Sequence, residues 1–124
     1  MNWVAIAAGG ALGAVARHAL NVALGGRYSV FPVGILAINA IGCFAIGMVA
    51  GVLAAGHAHV GEIGRLFLVV GVLGGFTTFS AYSLDTLTLL RGGHTGLALV
   101  NAVGQPLVGV AAVWIGFSAG SWRA

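Results

Sequence analysis

The stretch GGFTTFSAYSLD, residues 74–85, decides how the chain folds, because it sets helix-weakening residues inside a long apolar run. Glycine in a helix interior costs about 1 kcal/mol relative to alanine, so Gly74 and Gly75 make local unwinding cheap just before Thr77 and Thr78. Lipid, in contrast, forbids unsatisfied backbone groups unless something else binds them. We therefore predict that the helix through this stretch is broken and that its freed backbone groups have a ligand.

The composition identifies the class of protein. Hydrophobic residues make up 60% of the chain, charged residues only 6%, and the mean hydropathy is +1.08. A soluble domain carries roughly 25% charged residues, so this is predicted to be an integral membrane protein. The five basic residues are too sparse for nucleic-acid binding. No nucleophile has an evident base and no metal-ligand cluster stands out, so we predict that the chain is not an enzyme.

Apolar stretches of about 20 residues, the length that crosses roughly 30 Å of hydrocarbon, occur four times along the chain. They run approximately over 3–24, 31–55, 65–90 and 95–119. The polar breaks between them are short and leave no room for a soluble domain. We predict an all-α membrane protein in which residues 1–124 form one domain of four transmembrane helices, with the third broken near its middle.

Small residues spaced four apart recur within these stretches and predict close packing between helices. The pairs are Gly9/Gly13, Gly47/Gly51, Gly71/Gly75 and Gly116/Gly120. In glycine-rich sequence this pattern is also frequent by chance, and we interpret it only as packing.

The broken segment itself suggests an ion site. Unwound carbonyls at the membrane midplane are good ligands for a hard cation such as Na⁺. Phe79 and Tyr82, three residues apart, share a helical face, and the edge of an aromatic ring carries partial positive charge that an anion can approach. The alternative is that these two rings only fill the core.

Carboxamides within the apolar stretches cost energy unless they are hydrogen-bonded. Asn39 lies about a third of the way along the second helix and serves either as an interhelical hydrogen-bonding group or as a donor facing an anion pathway. Asn101 and Gln105 are four apart and share one face of the fourth helix. They either hydrogen-bond to a neighbouring helix or form a row of polar groups along a pathway.

Two charged residues also fall inside the apolar stretches. Arg17 is about 21 Å along the first helix, near the far interface. It either reaches the lipid headgroups or acts as a buried cation that attracts anions into a vestibule. Asp85 lies within about two turns of the end of the third helix. It is an interfacial carboxylate, a proton carrier or part of a hydrogen-bonded track.

Three stretches together resemble the Fluc (CrcB) family of fluoride channels. They are GGALGAVARH at 9–18, FPVGILAINAIGCFAIG at 31–47 and, above all, GVLGGFTTFSAYSLDT at 71–86. Members of that family are small four-helix membrane proteins that work as antiparallel, dual-topology dimers. The resemblance implies a fluoride-selective channel that exports fluoride passively across the cell inner membrane and confers fluoride resistance, with fluoride, the bilayer and a second copy of the chain as partners.

The resemblance also assigns roles to particular residues. The backbone carbonyls of Gly74 and Thr77 would hold a structural Na⁺ at the dimer interface, and Arg17 would be the vestibule arginine. Asn39 matches the pore asparagine, and Phe79 and Tyr82 fall at the positions of two pore phenylalanines. The full set of implied pore residues is Asn39, Phe79, Tyr82, Thr78, Ser80, Asp85, Asn101 and Gln105.

The chain departs from the family pattern along this same track. Ile35 stands where a threonine usually precedes the asparagine, and Tyr82 replaces the second phenylalanine. Asn101 and Gln105 stand where a tyrosine and a serine are usual, and Asp85 replaces a glutamate. All of these residues except Ile35 keep hydrogen-bonding capacity.

Two other functions fit the sequence. The first is a non-conducting partner subunit of a heterodimeric fluoride channel, which the departures at Ile35, Asn101 and Gln105 suit. The second is a small proton-coupled exporter, for which Asp85 is the eligible carboxylate.

The arginines predict no preferred orientation in the membrane. If the amino terminus is cytoplasmic, Arg65 and Arg123 flank the cytoplasmic side while Arg27, Arg91 and Arg17 lie toward the opposite side. Without an excess of basic residues on one side, the positive-inside rule cannot choose between the two insertions. We therefore expect both orientations and an antiparallel homodimer.

Overall fold

The computed structural model describes residues 1–24 and 30–122, so Arg27 and Arg123 of the arginine count lie outside the described residues. Within the described part, four helices are long and apolar enough to cross a membrane, which confirms the all-helical prediction. We call them the first to fourth spans: Asn2–Ala23, Val33–Ala54, Glu62–Arg91 and Thr95–Gly120.

The third span is not one continuous α-helix. It consists of an α-helical turn at Glu62–Arg65, a π-helical stretch at Leu66–Leu73, a further turn at Gly74–Phe76, two extended residues and an α-helix at Phe79–Arg91. The extended residues are Thr77 and Thr78, which we call the helix break. The prediction of a third helix broken near its middle is confirmed.

The break lies a few residues beyond the place that the glycines suggested. Gly74 and Gly75 themselves remain helical, and the extended residues are Thr77 and Thr78 just after them. The local cause of the break is Thr78, whose hydroxyl oxygen accepts a hydrogen bond of 3.2 Å from the amide of Ala81. A residue that caps a helix in this way must itself be extended, and Thr78 has φ −151° and ψ 122°.

The glycines instead permit close contact between helix backbones. A Cβ added at any of the eight predicted positions would overlap the backbone of the facing helix. Gly9, Gly13, Gly71 and Gly75 form the seam between the first and third spans; Gly47, Gly51, Gly116 and Gly120 form the seam between the second and fourth. The interpretation of these pairs as packing residues is confirmed.

The two seams divide the bundle into two pairs. The first span runs along the amino-terminal part of the third, and the second span packs most extensively on the fourth. The helix Phe79–Arg91 leaves the first pair and packs on the fourth span. The helix break therefore sits where the third span passes from one pair to the other, between side chains of the first and second spans.

The close approach at Gly13 generates a stability prediction. Gly13→Ala places a methyl group against the backbone of Val72 and Phe76, and overpacking of this kind costs typically about 1–3 kcal/mol. Gly10→Ala, in the same helix, meets nothing within 4 Å and should leave stability unchanged or raise it by up to about 1 kcal/mol. Reversible unfolding in mixed micelles, followed by circular dichroism, compares the two. Equal stabilities would contradict the backbone contact.

Candidate functional site

The helix break frees several backbone carbonyls, among them those of Gly74 and Thr77. In a continuous α-helix the Gly74 carbonyl would accept from the amide of Thr78, and the Thr77 carbonyl from the amide of Ala81. The Thr78 amide instead donates to Oδ1 of Asn39 at 2.9 Å, and the Ala81 amide donates to the Thr78 hydroxyl. The carbonyls of Gly74 and Thr77, the two that the family resemblance assigns to Na⁺, are thus released from helical pairing.

Asn39 clamps the break from the second span. Its Oδ1 accepts from the Thr78 amide, and its Nδ2 donates to the Thr78 carbonyl at 3.0 Å, so one side chain satisfies both polar groups of that residue's backbone. The same Nδ2 donates to Oε1 of Gln105 at 3.0 Å. Both hydrogens of the carboxamide are therefore engaged, one with the third span and one with the fourth.

The hydrogen bonds continue from Gln105 back to the third span. Nε2 of Gln105 donates to Oδ1 of Asn101 at 2.9 Å, and Nδ2 of Asn101 donates to the hydroxyl of Thr86 at 2.9 Å. The Thr86 hydroxyl donates to the Tyr82 carbonyl at 2.9 Å. We call Asn39, Gln105, Asn101 and Thr86 the polar relay. Asn101 and Gln105 are both buried, with 0% and 7% of their surface exposed.

Thr86 is the relay member that sequence reasoning missed. Its hydroxyl bonds the carbonyl four residues earlier, as does that of Thr88 two residues on, so nothing in the sequence separates the two. The distinction is tertiary, because only Thr86 also accepts a hydrogen bond from Asn101.

Tyr82 compensates for a proline in the fourth span. Pro106 lies inside that helix and has no N–H, so the carbonyl of Ala102, four residues earlier, loses its helical partner. The hydroxyl of Tyr82 donates to this carbonyl at 2.5 Å. Sequence reasoning singled out Tyr82 but not Pro106, although a proline within an apolar stretch identifies the carbonyl that it frees.

A groove of about 850 Å³ opens on one side of the bundle. Phe79 and Tyr82 line it, with ring centroids 5.5 Å apart and planes inclined at 46°. Phe79 projects outward and is 79% exposed. Asn39, Gln105 and Gly74 line the same groove, which therefore combines a largely apolar wall with the beginning of the polar relay and a freed carbonyl.

A separate cavity of about 440 Å³ lies beside the break on the side of the first span, and we call it the Arg17 cavity. The Arg17 guanidinium donates to the Thr77 carbonyl at 3.3 Å, so it turns toward the break rather than toward the membrane surface. The wall includes Ile35, Thr78, Ser80 and two residues that sequence reasoning had not placed at a site, His18 and Asn21.

Thr78 is shared by the two spaces, because it lines both the Arg17 cavity and the open groove. Its hydroxyl lies 3.2 Å from that of Ser80, which also lines the cavity. The structure thus brings Arg17, Thr78, Ser80 and Asn39 together around the break.

Asp85 does not join this constellation. Its Oδ2 is buried and has no hydrogen-bond partner among the described residues, and it takes no part in the polar relay. Over residues 1–24 and 30–122, no three His, Cys, Asp or Glu side chains come together as metal ligands. A cation at the break would therefore depend on backbone carbonyls.

Comparison with known proteins finds a family model and relatives that match most of the chain. The family model described as "CrcB-like protein, Camphor Resistance (CrcB)" matches residues 4–117. A protein of Opitutus terrae named fluoride-specific ion channel FluC is 50% identical over 113 residues, covering 90% of this chain and 86% of that protein. A protein of the same name from Paracoccus denitrificans is 42% identical over 120 residues, covering 96% and 94%.

The pairing of Tyr82 with Pro106 generates a double-mutant prediction. Tyr82→Phe keeps the ring but leaves the Ala102 carbonyl without a partner, which should lower the free energy of unfolding by about 1–3 kcal/mol. Pro106→Ala restores an amide to that carbonyl. In the Pro106→Ala background, Tyr82→Phe should cost less than about 0.5 kcal/mol. The four unfolding free energies in mixed micelles form the test, and an equal cost in both backgrounds would refute the pairing.

Proposed function

The chain belongs to the CrcB family, and on this premise we propose that it is a fluoride-selective channel through which fluoride leaves the cell passively across the inner membrane. Relatives that match nearly the whole chain carry the name fluoride-specific ion channel. The observation that carries the proposal is the position of Thr78, which lines both the Arg17 cavity and the groove at the start of the polar relay.

The Arg17 cavity is suited to collecting anions. Arg17 is half-buried, and a cation in a concave, weakly polar wall raises the local concentration of anions. Among the described residues that line this cavity, none is acidic. The helix Phe79–Arg91 begins at the break, and the amino-terminal end of a helix carries partial positive charge. Together these charges favour the entry of an anion from this side.

The break supplies the hydrogen-bond donors that a strongly hydrated anion needs. Fluoride can exchange water for the hydroxyls of Thr78 and Ser80 and for the amide of Asn39. Because both hydrogens of Asn39 are already bonded, fluoride takes the place of the Gln105 oxygen. The ring edge of Phe79 adds a weak positive face. The remaining residues of the proposed pore are Tyr82, Asp85, Asn101 and Gln105.

The open groove supports assembly with a second copy. Gly74, whose carbonyl has no helical partner, lines the groove beside Asn39 and Gln105, and an unsatisfied polar group in lipid costs several kcal/mol. A second copy covering the groove would remove these groups from lipid. With arginines that favour neither orientation, the pairing is an antiparallel, dual-topology homodimer about a two-fold axis in the membrane plane.

The freed carbonyls of Gly74 and Thr77 fit a structural Na⁺ in such a dimer. Carbonyl oxygens are the ligands that hard cations prefer, and Gly74 and Thr77 of both copies would contribute together. The Thr77 carbonyl keeps a lone pair beside its bond from Arg17. A bound Na⁺ would supply fixed positive charge that offsets the desolvation of the anion.

A second candidate function is the non-conducting partner subunit of a heterodimeric fluoride channel. The observation that favours it is the engagement of Asn101 and Gln105 with each other and with Thr86, because both carboxamides stand at pore positions and are buried in internal bonds. The proton-coupled exporter depends on Asp85, whose buried Oδ2 has no hydrogen-bond partner in the described part of the chain.

Fluoride efflux from liposomes that contain this chain alone tests the proposal. We expect rapid, electrophoretic fluoride efflux on an ion-selective electrode and no chloride efflux, because the break offers small donors rather than a wide pore. Fluoride current only after addition of a second homologous subunit would establish the partner function instead. Transport driven by a pH gradient without fluoride would establish the exporter.

Substitutions of Asn39 and Phe79 test the pore residues. Asn39→Ala and Phe79→Ile should still dimerise and should reduce fluoride efflux at least about tenfold, because each removes a group that faces the anion. The matched control is Phe44→Ile, at an exposed phenylalanine of the second span that lines neither space. Elution as a dimer is checked by gel filtration. Efflux equal to that of Phe44→Ile would exclude both residues from the pathway.

A further inference from the structure

The polar relay runs in one direction from end to end. The Thr78 amide donates to Asn39, Asn39 to Gln105, and Gln105 to Asn101, over distances of 2.9, 3.0 and 2.9 Å. Asn101 then donates to Thr86 and Thr86 to the Tyr82 carbonyl, both at 2.9 Å. The relay leaves the third span at the break, crosses the second and fourth spans and returns to the third at Thr86, about two turns later.

The two ends of the relay fix this direction. The Thr78 amide can only donate, so Asn39 must turn Oδ1 toward it. The Tyr82 carbonyl can only accept, so the Thr86 hydroxyl spends its one hydrogen there and has only lone pairs left for Asn101. Reversing a single carboxamide between these ends would set N–H against N–H or oxygen against oxygen.

We propose that Gln105, Asn101 and Thr86 are positioning residues for Asn39. Their hydrogen bonds hold the Asn39 carboxamide in the one orientation that clamps both backbone polar groups of Thr78 and so keeps the break extended. Thr86 fixes the sense of the relay at the end opposite Thr78, and two carboxamides separate it from Asn39.

Burial strengthens this coupling. Asn101 is completely buried and Gln105 nearly so, and hydrogen bonds in a weakly polar environment polarise one another along a chain. Asn101 has no exposed surface, so water does not replace a hydrogen bond that its carboxamide loses at Thr86. Losing that bond therefore frees Asn101 to turn, and the hydrogen bonds of Gln105 and Asn39 change with it. Asn101 and Gln105, which both depart from the family pattern, thus share one role, which is to hold Asn39 in its orientation.

Comparing Thr86→Val with Thr88→Val distinguishes the hydrogen bond of the relay from the bond that each hydroxyl makes within its own helix. Both hydroxyls bond a carbonyl four residues earlier at 2.9 Å, but only Thr86 accepts from a carboxamide. Side-chain ¹⁵N amide spectra of the dimer in lipid nanodiscs report the orientation of Asn39. We expect Thr86→Val to shift and broaden the Asn39 signals, Thr88→Val to leave them unchanged, and Thr86→Ser to restore them. Unchanged Asn39 signals in Thr86→Val would overturn the relay.

A measurement on the parent protein serves if Thr86→Val does not fold. The side-chain amides of Asn39, Gln105 and Asn101 should exchange with deuterium slowly and at similar rates. Breaking the hydrogen bonds of one carboxamide requires the carboxamides bonded to it to move as well. Exchange of Asn39 much faster than that of Asn101 would overturn the proposal.

The consequence for transport rests on the proposed fluoride function and is measured separately. Thr86→Val should lower fluoride efflux about tenfold relative to Thr88→Val, as expected for one buried hydrogen bond lost at a positioning site. A spectral shift with undiminished efflux would refute the positioning role. Absence of efflux in the parent protein would instead refute the channel function, and the spectra would still decide the relay.

Discussion

The arrangement of the bundle depends on one constraint: backbone polar groups freed within an apolar environment must be satisfied by the rest of the protein. The third span frees such groups at Thr77 and Thr78, and the neighbouring spans answer with side chains. Arg17 reaches the Thr77 carbonyl from the first span, and Asn39 takes both backbone groups of Thr78 from the second. The fourth span joins through Gln105. A local irregularity in one helix therefore organises all four.

Features that depend on composition and local chemistry could be predicted from the sequence. The four spans follow from apolar length, the break from Thr78 and its neighbours, and the seams from glycines four residues apart. The position of the break could not be derived from helix propensity, because Gly74 and Gly75 remain helical and Gly75 lies close to the backbone of Gly10 in the seam. Tertiary packing outweighed a local preference of about 1 kcal/mol.

The sequence predicted most residues of the candidate site but not the hydrogen bonds that join them. Asn39, Asn101 and Gln105 stand out because carboxamides are costly in lipid, whereas their linkage depends on how three helices meet. Thr86 and Thr88 are indistinguishable in sequence, and only the approach of Asn101 separates them. The same holds for Arg17, whose direction along the first span depends on the presence of the break beside it.

The bond between Tyr82 and the Ala102 carbonyl bears on how such a chain can evolve. A lineage that acquired Pro106 first would carry an orphaned carbonyl in the membrane, a burden of about 1–3 kcal/mol. A lineage that acquired the tyrosine hydroxyl first would have had a partner waiting when the proline arose. The order of the two substitutions is thus not interchangeable: with Pro106 present, loss of the Tyr82 hydroxyl leaves the carbonyl without a donor, whereas loss of the proline returns an amide to it. Retention of Pro106 therefore depends on Tyr82 through a single hydrogen bond.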